Sequence, residues 1–132
     1  MNELRFFVSG EPVPKGRPRV VRTKSGKSHT FTDDKTAAWE QLVRWVARVE
    51  AHKRRWQPTA DPCEVEIALR GLNPRSDVDN AAKAVLDALN GLAWDDDRRV
   101  WSLLVRRDET LAADGALVIV RRAGGLEEGA RA

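Results

Sequence analysis

Asp77 and Asp79 stand one residue apart in "RSDVDNAAKAVLDALNGLAWDDDRRV" (75–100), Lys83 follows four residues after the second, and Asp95, Asp96 and Asp97 close the segment. Carboxylates so closely spaced repel one another unless a cation lies between them. A hard ion such as Mg2+ takes oxygen ligands and keeps waters or a substrate phosphate in its shell. Held that way, it lowers the pKa of a bound water and neutralises charge on a breaking phosphodiester. Lys83 shares one helical row with Asp79 and Asp87, at intervals of four, and is placed to hold a phosphate as a point cation. The same residues also have a bland explanation. Ser76 with Asp79 three residues later is close to a capping box. Acids in a first turn complement the helix dipole, and Asp79, Lys83 and Asp87 read as surface ion pairs.

Positioning these groups takes a scaffold, and the sequence outlines one. "ELRFFV" (3–8) reads as a strand that ends at a Gly/Pro break. "RVVRTKSGKSHTFT" offers two β-prone runs around a turn-like "KSGK", a hairpin that projects cations. A long amphipathic helix follows in "TDDKTAAWEQLVRWVARVEAHKRRW", capped by Thr32 or Asp33, with Ala38, Leu42, Trp45, Val46 and Val49 as its apolar stripe. Trp39 and Trp45 are expected in the core. "CEVEIALR" alternates as a strand that buries Val65, Ile67 and Leu69. A second helix carries Val78, Ala81, Ala82, Val85, Leu86 and Leu89 inward and stops at Gly91. "RRVWSLLVRRD" and "ALVIVRR" are two further strands. The order predicts one α+β domain over residues 1–122, a mixed, mostly antiparallel sheet with two helices on one face, and a tail at 123–132 with little to bury. If the chain folds back through Gly91 to Trp94, the strand after the triple acid pairs beside the one ending near Arg70, and the second acid cluster approaches the first.

The charge distribution limits the partners. Residues 1–60 carry 13 Lys and Arg against 6 acids, and residues 61–132 carry 10 against 14, so the net charge of +3 conceals two poles. Lys15, Arg17, Arg19, Arg22, Lys24 and Lys27 lie in one Gly/Pro-rich segment without an acid. That cluster suits a polyanion, because each cation placed on a phosphate releases condensed counterions; it is also the composition of a solvated loop. A single cysteine, Cys63, and two distant histidines argue against a disulfide or a zinc site. No apolar run reaches the roughly 20 residues that span a bilayer, and the N-terminus lacks a signal-peptide pattern, so a cytoplasmic location is expected.

"DVDN" followed by "AAK", "AVLDALNG", "W" and "DDDRRV", with "GEPVPKGRPRV" and "HTFTDDKTAAWE" upstream, resembles the RusA-type Holliday junction resolvases, in their phage and prophage branch, from about Phe6 to Val120. The resemblance implies a Mg2+-dependent endonuclease, with Mn2+ as a substitute ion, that hydrolyses phosphodiesters at four-way DNA junctions in recombination and repair. It implies Asp77, Asp79 and Asp97 as metal ligands, with Asp96 beside the third, and Lys83 as the active-site lysine. Three acids in a row replace the usual pair, and alignment on Val100 favours Asp97. Lys15, Arg17 and Arg19 would contact DNA, with Arg22, Lys24 and Lys27 in the same cluster, and Asp87 would support structure. The family's members are homodimers, which matches two nicks in symmetry-related strands. The rival reading is a branched-DNA-binding module without catalysis, in which the acids only cap and solvate.

Overall fold

A computed structural model describes residues 2–16, 19–22, 28–31 and 34–123, the segments 19–22 and 28–31 as backbone. The strands are β1 (Glu3–Ser9), β2 (Arg19–Arg22), β3 (Ser28–Phe31), β4 (Cys63–Arg70), β5 (Val100–Arg107) and β6 (Gly115–Arg122), and the helices are α1 (Asp34–Lys53) and α2 (Val78–Leu89). β1, β6, β4 and β5 form a mixed sheet in that order, antiparallel except for the parallel pair β4–β5, which is the expected α+β architecture. β2 and β3 pair antiparallel as the expected hairpin. The "KSGK" turn, the caps Thr32 and Asp33, and residues 124–132 of the expected tail lie outside the described residues. No helix among the described residues is long and apolar enough to cross a membrane.

One face of the sheet is apolar because alternate residues of each strand are. Leu4, Phe6 and Val8 of β1, Val65, Ile67 and Leu69 of β4, and Val118 and Val120 of β6 are buried there with the inner faces of α1 and α2. α2 presents Ala81, Ala82, Val85, Ala88 and Leu89 inward, as its spacing predicts, and it ends where Gly91 adopts φ +77 and donates to the Trp94 carbonyl. Its small inward residues let the helix lie close to the sheet. The opposite face is held by ion pairs. Glu66 on β4 accepts from Arg106 on β5 at 2.6 Å and from Arg121 on β6 at 3.3 Å, and the Arg106 hydrogen bond, foremost, holds its carboxyl below the usual range.

α1 is rotated from the sequence expectation. Its buried residues are Thr36, Trp39, Val43, Ala47 and Ala51, whereas Leu42, Trp45 and Val49 of the expected stripe are exposed, Trp45 by 63%; Ala38 is not among the buried residues either. Both stripes repeat at three and four. The choice between them falls to the surfaces of β1 and α2 on which α1 packs, where Trp39, Val43, Ala47 and Ala51 join the core and Val46 is partly buried against it. Trp39 therefore meets the core expectation and Trp45 does not. Trp39→Ala is expected to cost about 3–5 kcal/mol by urea denaturation, while Trp45→Ala stays within about 0.5 kcal/mol of the parent protein.

Candidate active site

Asp77 is the N-cap of α2, with φ −85 and ψ 139, yet its side chain makes no capping hydrogen bond, so neither the expected Ser76 capping box nor an Asp77 cap forms. Both carboxylates at this helix start, Asp77 and Asp79, are exposed, and among the described residues neither has a side-chain partner. The loop that delivers them is clamped from β5. Arg107 donates to the carbonyls of Leu72 at 2.9 Å, Asn73 at 3.1 Å and Ser76 at 2.7 Å. The residue pattern does not single out Arg107 as a positioning residue, because its contacts are to backbone atoms 31 to 35 residues away.

A groove of about 340 Å3 runs between α2 and β5, lined by Asp79, Lys83 and Asp87 from the helix, Leu103 from the strand, and Asp97 and Trp94 from the connection between them. Trp94 is fully buried, and among the described residues its indole Nε1 has no acceptor. Lys83 is exposed and, among the described residues, has no ion pair to Asp79 or Asp87, contrary to the surface pairing considered from sequence. Asp87 is engaged elsewhere. Lys15 reaches Glu40 on α1 at 2.8 Å and Asp87 at 3.1 Å, and its own N–H donates to Asn80 O at 2.9 Å, so it clips the N-terminal loop across both helices. The hydrogen bond to Glu40, foremost, raises its pKa. Lys15 thus spends on the protein the charge that its place in the basic cluster suggested for DNA. Arg19 and Arg22 lie on the hairpin, while Arg17, Lys24 and Lys27 fall outside the described residues.

The three consecutive acids differ in what they hold. Asp95 accepts from Arg99 Nε at 2.8 Å and Nη2 at 3.1 Å, and this hydrogen bonding keeps its carboxyl below the usual range. Asp96 caps the 3-10 turn Asp97–Arg99 by accepting from the Arg98 N–H at 3.0 Å. Asp97 has no side-chain partner among the described residues and lines the groove.

Asp79 and Asp97 line the same groove, but among the described residues the two acid clusters do not combine into one site of three carboxylates within the chain. β5 does pair with β4, but in parallel, with Val100 opposite Cys63 and Arg107 opposite Leu69. Asp97 therefore lies at the end where β4 begins, and Asp77 at the end where β4 stops. From Asp79 to Asp87 alone the helix rises about 12 Å. Among the described residues no three His, Cys, Asp or Glu side chains converge to hold one cation. Each end nonetheless carries the right kind of donor. Asp77 and Asp79, one residue apart and without a side-chain partner among the described residues, are the kind of donor that Mg2+ binds together with waters and a phosphate. Cys63 offers no alternative chemistry, since burial pushes its thiol up to about 11.

The family model described as Endodeoxyribonuclease RusA matches residues 9–121. The chain is also similar to "Uncharacterized protein YqaN" of Bacillus subtilis (strain 168), 32% identical over 126 residues that cover 81% of this chain and 88% of the relative.

The clip made by Lys15 has a measurable pH signature. A raised pKa in the fold contributes stability that is present below 10.5, the ordinary lysine value, and is lost as pH rises through the raised one. Lys15→Met is expected to lower stability by about 1 kcal/mol at pH 7, and its difference from the parent protein should shrink progressively above pH 10.5 in urea titrations.

Proposed function

Because the chain belongs to the RusA endodeoxyribonuclease family, whose members act on Holliday junctions, we propose that it is a divalent-metal-dependent nuclease of four-way DNA. In this reading each catalytic site is shared, with Asp77 and Asp79 from one copy and Asp97 from a second. What supports it is the parallel β4–β5 pair, taken with the finding that among the described residues no three acids of one chain converge to hold a cation.

The surface that would admit the second copy is the outer edge of β5. It is the last strand of the sheet, and it exposes Trp101, Leu103 and Leu104, 76%, 44% and 54% accessible. An unpaired apolar edge is ordinarily shortened, charged or covered. Antiparallel pairing of two β5 strands about a two-fold would cover both edges and extend one sheet through the dimer. In that arrangement the start of one β5 lies beside the end of the other. Asp97 of the second copy then arrives next to Arg107, which clamps the loop leading to Asp77. Two such sites, related by the dimer axis, match two nicks in symmetry-related strands.

The donor set is all carboxylate, which suits Mg2+, with Mn2+ as a substitute. Bound there, the ion supplies an activated water and a counter-charge for the breaking phosphodiester. The chain's own residues position the rest. Lys83 is free of ion pairs among the described residues and lies four residues along α2 from Asp79, so it is available to hold the scissile phosphate. Arg107 keeps the two carboxylates of the helix start in place through three backbone carbonyls. Asp97, unlike Asp95 and Asp96, gives up no protein partner to take a ligand. The hairpin cations Arg19 and Arg22, with Arg17, Lys24 and Lys27 between and beside them in sequence, supply the backbone contacts to DNA.

A synthetic four-way junction incubated with Mg2+ tests this reading. Asp79→Asn should lower nicking by about 100-fold or more while junction binding is retained, and Asp95→Asn should nick within a few-fold of the parent protein. Full nicking by Asp79→Asn, or junction binding by the parent protein with no Mg2+-dependent cut, would sink it; the latter result favours a non-catalytic binding module.

A further inference from the structure

A separate groove of about 680 Å3 lies between the C-terminal half of α1 and the turn after α2. Arg44, Arg48, His52 and Arg55 follow one another along its wall at steps of four, four and three residues, and among the described residues no carboxylate lines it. Arg44 is committed to structure. It donates to the carbonyls of Ala88 and Asn90, both at 2.9 Å, and so caps the end of α2. Arg48, His52 and Arg55 are exposed, and among the described residues their side chains have no hydrogen-bond or ion-pair partner. Trp56 forms a fixed part of the same wall, because its indole donates to Ala93 O at 2.9 Å and Arg122 stacks on its ring at 4.5 Å.

Cations near a helix C-terminus have an ordinary explanation, since they complement the dipole. Two observations go beyond it. Two carbonyls of the last turn of α1 are already satisfied by backbone, Ala51 O by the Trp56 N–H at 2.8 Å and His52 O by the Arg55 N–H at 3.2 Å. That pair of bonds is a Schellman motif with Arg55 at the position glycine usually occupies. Arg55 has φ +55, the one positive φ outside glycine among the described residues. A left-handed conformation is strained for an L side chain, so arginine sits at a cost that glycine would avoid, and its guanidinium lines the groove.

We propose that this groove is a second nucleic-acid contact, in which Arg48, His52 and Arg55 bind the sugar-phosphate backbone of one strand of a junction arm. The cations are strung along the helix rather than gathered around one point, with about 6 Å of rise per four residues, close to the separation of neighbouring phosphates on a strand. A small anion would need them convergent. The location also suits a strand that leaves the catalytic groove, because Gly91 and Leu92 of the turn after α2 line this groove while Trp94 of the same turn lines the other. The inference rests on the DNA-substrate reading above, but not on catalysis.

Junction binding measured by fluorescence anisotropy in EDTA, across a salt series, tests it with the full chain. Arg48→Ala should weaken binding roughly 5-fold at 0.1 M salt and lower the slope of log affinity against log salt by about 0.9, the value for one phosphate no longer neutralised. Arg55→Gly should weaken binding similarly while melting roughly 3 °C higher, opposite signs that a purely structural arginine would not produce. Wild-type affinity and slope in both variants would overturn the proposal, as would an effect confined to Arg55→Gly and accompanied by a lower melting temperature. If the parent protein nicks junctions and both variants bind as it does, only this inference falls; if the variants lose affinity and the parent never nicks, only the catalytic reading falls.

Discussion

Two parallel strands joined through a helix begin at the same end of the sheet, and the helix must run back across them before the second can start. β4, α2 and β5 obey that rule, with Cys63 opposite Val100 and Leu69 opposite Arg107. Everything at the candidate site depends on it. α2 delivers Asp77 and Asp79 where β4 ends, and the connection after α2 delivers Asp97 where β4 begins. The groove between helix and second strand joins these ends, with the row Asp79, Lys83 and Asp87 along one side. Among the described residues, a single chain therefore gathers no three acids that could hold one cation. The same crossover leaves β5 at the edge of the sheet, where the proposed second copy would pair.

Charge is distributed to match. Of the acids near the groove, those with structural work are visibly occupied. Asp87 is tied to Lys15, Asp95 to Arg99, and Asp96 to the 3-10 turn. Asp77, Asp79 and Asp97 have no such occupation among the described residues. A carboxylate left unpaired beside others raises the local negative potential and gains nothing in the isolated fold, which is the condition a hard cation relieves. The basic groove beside α1 has the complementary character, with cations that lack counter-charges among the described residues and Arg55 held at a positive φ.

Much of this was legible in the residue pattern. Periodicity of three and four in α2, alternation in β4, and Gly91 at the helix stop sufficed to place those elements, and the D-x-D-N-x-x-K spacing pointed to the family. α1 was ambiguous because two apolar stripes share its spacing. Only the neighbouring surfaces of β1 and α2, remote in sequence, decide that Trp39 goes inward and Trp45 outward. Strand direction was likewise hidden: apolar residues in β5 say that it pairs, not whether in parallel, and the distance between acid clusters turns on that point. Lys15 read as one cation of six, and its engagement with Glu40 and Asp87 follows from α1 and α2 packing side by side.

A mixing experiment addresses the shared site most directly. Asp79→Asn and Asp97→Asn chains are each expected to be inactive alone, and in the proposed arrangement co-refolding them in equal amounts would form mixed dimers. In a mixed dimer one site combines the intact Asp77 and Asp79 of one chain with the intact Asp97 of the other. The mixture is predicted to regain nicking of one junction strand, with paired cleavage still absent. A mixture that contains mixed dimers by mass spectrometry yet remains as inactive as its components would mean that each site is built within one chain, and would contradict the shared site.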